Sequence, residues 1–449
     1  MKLPDKFSAA GNAEIPDKWW LSFGDEKLNF LVEEALQSNL SLRTAWDRLD
    51  RAMALARKGR SSLFPGVEGK AGAARRREKT GENPSTYRTE YSLGLSASYE
   101  VDLWGRIRSA YDAEKLEARA TREDLKAAAI TLSAKIAESW FRLIEQKRQL
   151  SLLSNQLETN EKYLEIITEK FRQGQVSATE FLQQQQVVEG TKGRRLLVES
   201  SIKLLEHQLA VLLGRAPGDL DIEVPSDLPA LPPLPESGLP ADLIRRRPDV
   251  RAAELRVGAA YREVAAARAR RFPTLAFSLN AQTTTEKIKD FFDDWMATLM
   301  ADLLAPLFDA GERRAEIQRA RALLSERMHA YGQTVLTALK EVEDALVQES
   351  RQAEYVASIK RQLELSSQTT DQMLEKYTKG TVDYALYLTT LLSHQRLQQD
   401  YLTARCNLLL YRIHLYRALA GGWRLPRPPD TKASDLGQPV RVKGNGERG

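Results

Sequence analysis

The sequence predicts a mainly α-helical chain with two β-strands in each of two similar halves. Three observations carry that expectation. A shift of 206 residues lays 105–213 on 311–419 without a gap. It pairs Arg108 with Arg314, Thr131 with Thr337, Gly174 with Gly380, and Glu169-Lys170-Phe171 with Glu375-Lys376-Tyr377. A repeat of this length governs any reading of the fold. Both copies lack proline, and Leu143, Gln146, Leu150, Leu153, Leu157, Asn160, Leu164, Ile167 and Phe171 step by three and four, a heptad seam. Ahead of the first copy, Tyr91, Leu93, Leu95, Ala97, Tyr99, Val101 and Leu103 alternate with Ser92, Gly94, Ser96, Ser98, Glu100 and Asp102. That is the period of a strand with one apolar face.

The elements follow in order. Trp20-x-x-Phe23-x-Asp25 leads into Leu28, Leu31, Ala35 and Leu36, an amphipathic helix expected to run to about Leu63 and to stop at Phe64-Pro65. Val67 to Ala73 alternates weakly and pairs with the strand at Tyr91 to Trp104, while the polar stretch from Arg75 to Glu90 is expected as a loop. A helix over 106–172 would be about 100 Å long at 1.5 Å per residue, more than a globular core needs. Gly174 fits the glycine that ends a helix, and Ser177-Ala178-Thr179-Glu180 has capping-box spacing to start the return arm toward Leu213-Gly214. Pro217, Pro225, Pro229, Pro232, Pro233 and Pro235 mark 215–240 as an extended linker.

The pattern then restarts. A helix from Arg247-Pro248-Asp249-Val250 ends at Phe272-Pro273, a shift of 208 from Phe64-Pro65. Alternating runs follow at 275–282 and 295–304, then a long helix from Gly311 to Gly380 and a return arm capped by Asp383. The expected division is a first repeat over 1–214 (strands about 65–103, hairpin about 106–213), the linker 215–240, and a second repeat over 241–420 (strands about 273–307, hairpin about 312–419). An irregular tail occupies 421–449.

Composition excludes several classes. Lysine and arginine number 66 against 61 acidic residues, interspersed, which reads as solvated helix surface and not as a nucleic-acid footprint. The lone Cys406 excludes an intramolecular disulfide, and reads as packing. His207, His329, His394 and His414 lie far apart without metal-ligand spacing. No P-loop, nucleophile elbow or zincin motif occurs, so neither an enzyme nor a cofactor is expected. The glycines at 444, 446 and 449 mimic a dinucleotide fingerprint with no helix to follow them. No run of about eighteen apolar residues predicts a membrane helix.

Four strands with an apolar face and two edges need a cover. A lipid-facing barrel pooled from several chains supplies one, and a soluble β-layer packed on helices is the competing reading. A soluble coiled-coil scaffold explains the heptads but not strands placed alike in both halves. A periplasmic adaptor would need further β-rich domains for which the helical share leaves no room.

The chain resembles the TolC-like outer-membrane efflux factors, especially the branch associated with RND-type pumps. The resemblance covers nearly the whole sequence. It rests on Trp20-x-x-Phe23-x-Asp25, on Arg247-Pro248-Asp249-Val250-Arg251-Ala252-Ala253-Glu254, and on the paired Phe-Pro junctions. Tyr377-x-x-Gly380-Thr381-Val382 and Leu419-Ala420-Gly421-Gly422-Trp423 complete it. It implies a homotrimer with a shared twelve-stranded barrel in outer-membrane lipid, continued as a long α-helical coiled-coil barrel through the periplasm. It also implies a periplasmic adaptor and an inner-membrane RND-type pump as partners, and passive conduction of drugs, other small toxic compounds or ions. Many members of the branch carry a signal peptide and a lipidated cysteine. Met1-Lys2-Leu3-Pro4-Asp5-Lys6 has neither, so the numbering is expected to start on a trimmed or re-engineered terminus.

The family's gate lies at the inner tip. The resemblance places Tyr377 on its aromatic, near the tip turns Gly174 and Gly380. The aspartates that form a constriction ring in well-known members fall on Leu386 and Thr389 here, so that ring is not carried over. Asp383 and Glu180 are the nearest acidic candidates. Each has a second reading as a helix-capping residue.

Overall fold

The computed structural model describes residues 6–9, 11, 13, 16–79, 81, 85–218, 222–238, 240–423 and 425–428. Most of the expected tail, with its glycine triplet, lies outside the described residues. The chain divides into two compact units. The first takes residues 1–46, 126–247 and 339–449, and the second takes 47–125 and 248–338.

A 3-10 turn over Trp19–Phe23 opens the first unit, followed by α1 (Glu26–Ser38) and the start of α2 (Leu40–Ser61). The single helix expected to Leu63 is therefore two. Asn39 breaks it: its backbone closes α1 on Ala35, and its Oδ1 accepts from the Leu42 amide at 2.9 Å to cap α2. Its Nδ2 donates to the Leu212 carbonyl at 2.8 Å, so the break is fixed by tertiary contact. Gly214 is required beside it, because a Cβ there would stand 2.6 Å from the Ser38 carbonyl oxygen.

The opening and closing motifs meet in one aromatic core. Trp20 packs edge-on against Trp423 at 5.0 Å, and Phe23 against Phe141 at 5.1 Å. One Asp25 oxygen caps α1 by accepting from the Leu28 amide, and the other accepts from Trp140 Nε1 at 2.7 Å. These sequence signatures are packing devices. Burial pushes the Cys406 thiol up to about 12, and its Sγ donates to the Phe141 carbonyl, which fits the packing role.

Two helical hairpins follow, and the starts of their long helices belong to the residues of the second unit. In the first, α3 (Arg106–Arg172) turns into α4 (Ala178–Leu212). After the linker come α5 (Pro240–Arg246) and α6 (Pro248–Ala269), and the second hairpin is α7 (Glu312–Thr378) with α8 (Tyr384–Leu419). The linker is tied down. Buried Arg412 pairs with Glu349 and donates to the carbonyls of Pro232 and Pro233. A half-satisfied buried guanidinium would be costly, so every arm of this one has a partner.

The second unit holds a four-stranded antiparallel sheet in the order β1 (Gly66–Glu78), β2 (Thr86–Val101), β3 (Thr274–Thr285), β4 (Met296–Leu304). The register pairs Gly66 with Ser98, Tyr91 with Thr285, and Thr274 with Leu304. Every odd residue faces an odd one, so apolar and polar faces stay separate across all four strands. The expected loop from Arg75 to Glu90 is mostly strand: β1 runs to Glu78 and β2 begins at Thr86. Polar residues extend the ladder there because its hydrogen bonds are made by backbone, not side chains. Gly105 and Gly311, with φ of 71° and 93°, turn the strands into α3 and α7. Arg256 of α6 bridges Glu117 and Asp124 of α3.

Candidate functional site: the hairpin tips

Both hairpin turns close by the same hydrogen bonds. Gly174 donates to Phe171 at 2.9 Å and Gln175 to Lys170 at 2.8 Å; Gly380 donates to Tyr377 at 2.9 Å and Thr381 to Lys376 at 3.0 Å. This double closure satisfies the last carbonyls of each long helix. It needs a left-handed residue, and the two glycines have φ of 71° and 73°.

Around the turns an apolar cluster joins the two hairpins. Ile167 of α3 packs with Tyr384, Tyr387, Leu388 and Leu391 of α8, and Tyr163, Phe181 and Tyr377 lie against them. Tyr377 stacks on Tyr387 at 5.8 Å and 6°, while the Lys170 ammonium stands 5.0 Å from the Tyr377 ring centroid. The Tyr384 hydroxyl donates to Gln184 Oε1 at 2.5 Å. Burial holds the phenols of Tyr384 and Tyr387 well above the usual tyrosine range, so both remain neutral donors. The Tyr377 hydroxyl is buried without a partner among the described residues.

A polar ladder continues from Gln184 into the seam. Gln184 donates to the Asn160 carbonyl at 2.6 Å, Asn160 and Gln395 exchange amide hydrogen bonds, and Gln156 bridges Gln395, Gln398 and Gln399. Gln149 then reaches Gln399 and Thr403, and Thr403 donates to Glu145. Asn160, a polar member of the heptad seam, is fully buried in this ladder.

The acidic candidates are not members of the cluster, although the Glu180 carboxylate helps to raise the Tyr384 phenol. Asp383 occupies the position before α8 but makes no capping hydrogen bond with its side chain, and is exposed. Ser177 caps α4 by accepting from the Glu180 amide at 3.2 Å, so Glu180 enters that cap through its backbone. Leu386 and Thr389 are exposed on α8, and Thr389 donates to the Ala385 carbonyl. Thr389 and Leu388 also line a groove of about 480 Å³ between α4 and α8. The sequence reading missed Tyr384, Tyr387 and Gln184. Three tyrosines within residues 377–387 were the signal available. Among the described residues no group of three or more histidine, cysteine or carboxylate side chains could hold a metal ion, and no helix is long and apolar enough to cross a membrane.

Paired helical hairpins, with a sheet that is apolar on one face and open at both edges, define a subunit of a barrel-and-tunnel membrane channel. The model of the family described as Outer membrane efflux protein matches residues 31–215 and 239–421, and the chain belongs to that family. The pyoverdine export outer membrane protein OpmQ of Pseudomonas aeruginosa is 30% identical over 442 residues, covering 94% of this chain and 91% of that protein. The outer-membrane channel OprN superposes with a TM-score of 0.85 at 27% identity, covering 94% of this chain and 98% of its own. CusC, whose structures are described in terms of transmembrane channel formation, gives 0.84 at 26% identity over 94% and 97%. The fold is the TolC-like one, whose trimer forms a twelve-stranded barrel on a coiled-coil stalk. The protein is an outer-membrane efflux channel reaching into the periplasm, a component of a tripartite efflux system and not an enzyme. The soluble-scaffold reading falls with that membership.

Proposed function

We propose that three copies of this chain pool their sheets into one barrel in outer-membrane lipid and their hairpins into a tunnel closed at its periplasmic tip. Drugs, other small toxic compounds or ions would then pass from an RND-type pump, through a periplasmic adaptor, to the exterior. The observation that carries a barrel shared between chains is the pair of open edges, and the number three follows the TolC-like fold. β1 and β4 each leave a row of backbone donors and acceptors unpaired, which lipid cannot satisfy and which only other copies can close. The division into repeats 1–214 and 241–420 belongs to the same reading: each repeat supplies one hairpin and one pair of strands, so each chain gives two hairpins and four strands.

We assign the gate to the tip. Tyr377, with Tyr384 and Tyr387, ties the second hairpin to the first, so opening requires that cluster to part. Asp383, Leu386 and Thr389 on the exposed side of α8, and Glu180 on α4, are assigned to the mouth that solutes cross.

Protein extracted by detergent from the outer-membrane fraction should have the mass of a trimer and conduct in planar bilayers; a monomer that needs no detergent sinks the proposal. Asp383→Asn and Glu180→Gln should each shift single-channel conductance or ion selectivity. Unchanged values in both would leave these residues only their places at the helix starts.

A further inference from the structure

The odd positions of the four strands form the apolar face. Across β1 to β4 that face carries only two charged residues, Arg75 and Arg77. All the other strand charges, among them Glu68, Lys70, Arg76, Glu78, Arg88 and Glu90, lie at even positions on the polar face. There both signs occur together, and Arg88 pairs with Glu90 at 3.6 Å and with Glu286 at 2.7 Å. Arg75 and Arg77 have no carboxylate partner among the described residues. Instead both stand over one ring, with guanidinium carbons 5.2 Å and 5.7 Å from the centroid of Tyr87.

Their height along the sheet is as informative as their face. The chain enters the sheet from α2 and leaves it into α3, so the end at Val101 is the helical end and the β1–β2 turn is the outer one. From Val101 to Tyr91 the apolar face of β2 covers ten steps, about 33 Å along the strand and roughly 25 Å once tilted, the height of a lipid-facing band. Tyr91 pairs with Ala73, and the next outward-facing pairs are Thr89 with Arg75 and Tyr87 with Arg77. Both guanidinium groups therefore fall at the level of lipid headgroups in the outer leaflet.

Directly below them is an apolar groove of about 520 Å³. Its floor is small residues, Gly69, Ala71 and Ala281, and its walls include Leu95 and, from the β3–β4 loop, Phe292 and Trp295. A Cβ on Gly69 would meet nothing within 4 Å, so the floor is open and not filled by a neighbouring side chain. Thr283 also lines the groove, and its buried hydroxyl has no hydrogen-bond partner among the described residues.

We propose that this outward face is a docking site for a phosphate-bearing lipid of the outer leaflet. Arg75 and Arg77 hold the phosphate, and an acyl chain lies in the groove with its ester or amide carbonyl accepting from Thr283. Guanidinium groups pair with phosphate in a fork geometry, and holding both over Tyr87 reduces the freedom lost on binding. Two positive charges on an otherwise uncharged lipid-facing wall match an anionic headgroup and have no function toward hydrocarbon. The proposal rests on the barrel reading, which makes the apolar face the lipid-facing one.

The test uses the full-length protein reconstituted in phosphatidylcholine vesicles doped with lipid A, re-extracted in mild detergent, with the retained lipid A weighed by mass spectrometry. Arg75→Gln with Arg77→Gln should reduce retention on the order of tenfold, from two lost charges near the surface. Arg76→Gln removes the same charge from the polar face and should leave retention unchanged. A second measurement needs no variant: lipid A stripped of its phosphates should be retained less by the unaltered protein. Equal retention by the double variant, equal loss in Arg76→Gln, or indifference to the phosphates would each overturn the site. Planar-bilayer conductance of the same samples separates the two levels. Conducting channels with unchanged retention refute the lipid site alone, whereas no conductance from the unaltered protein refutes the barrel and the site together.

Discussion

At the first hairpin turn Phe171 stacks on Phe181 at 5.2 Å and 7°; at the second, the residues 206 positions on are Tyr377 and Tyr387, stacked at 5.8 Å and 6°. The backbone closures match bond for bond, and so does the ring geometry. What differs is chemistry. Ala178 becomes Tyr384, Ser177 becomes Asp383, and Val188 becomes His394. The first tip caps its return helix through Ser177, and its glutamines bond only within the turn, Gln175 to Gln173 and Gln173 to Glu169. The second gives up that cap and gains a tyrosine whose hydroxyl crosses to Gln184 of the first hairpin. One turn supplies a scaffold, and the other reaches out and latches onto it.

The largest expected effect separates the two stacked pairs. Tyr387 is 1% exposed whereas its counterpart Phe181 is partly exposed. Tyr387→Ala should therefore cost about 3–5 kcal/mol of local stability, the range for truncating a buried aromatic, and Phe181→Ala clearly less. Hydrogen exchange of the tip amides reads this directly; equal effects would mean that the tips are energetically alike. Closed-state conductance should rise with Tyr387→Ala if the cluster holds the gate.

A finer cut removes single hydroxyls. Tyr384→Phe leaves Gln184 Oε1 buried without its donor and should cost about 1–3 kcal/mol. Tyr377→Phe removes a hydroxyl that has no partner among the described residues, and should be neutral or slightly stabilising. The same exchange measurement, with leak conductance alongside, decides between a specific latch and general tyrosine packing.

Where the tips are the same, substitutions should act the same. A Cβ at Gly174 or Gly380 meets nothing within 4 Å, so alanine at either pays only for its left-handed backbone, about 1–2 kcal/mol. Thermal scans of the two variants should coincide; a marked difference would show that one turn is strained by its surroundings.

The smallest effect is in pH. Burial lowers the His394 pKa, against the nearby Asp371 carboxylate that raises it. The unfolded chain therefore binds the proton more readily. The contribution to stability is complete above the ordinary imidazole value and is lost as pH falls through the lower folded one. His394→Val, which copies Val188, should flatten the stability of the second tip over that acidic window and leave the first unaffected. A slope unchanged by the substitution would assign it to other groups.

Much of this comparison is legible in the sequence. A shift of 206 aligns the two tips, and heptads, capping glycines and strand alternation are local periodicities that a one-dimensional reading can see. The partners of Tyr384 were not legible, because Gln184 lies 200 residues away and no local pattern encodes that pairing. The tandem arginines at 75–77 suggested a loop, since polar residues are the usual mark of one. They are strand because a barrel hairpin extends past its apolar band on backbone bonds alone.

The sequence by itself determined the duplicated plan, the long helices with their glycine stops, and the separation of apolar from polar strand faces. Each depends on spacing along the chain relative to the fixed periods of helix and strand. Only the tertiary structure decided which residues of one hairpin hold the other. It also decided where Asn39 breaks the first helix and how Arg412 holds the linker. These follow from contacts between residues far apart in sequence, which periodicity does not record.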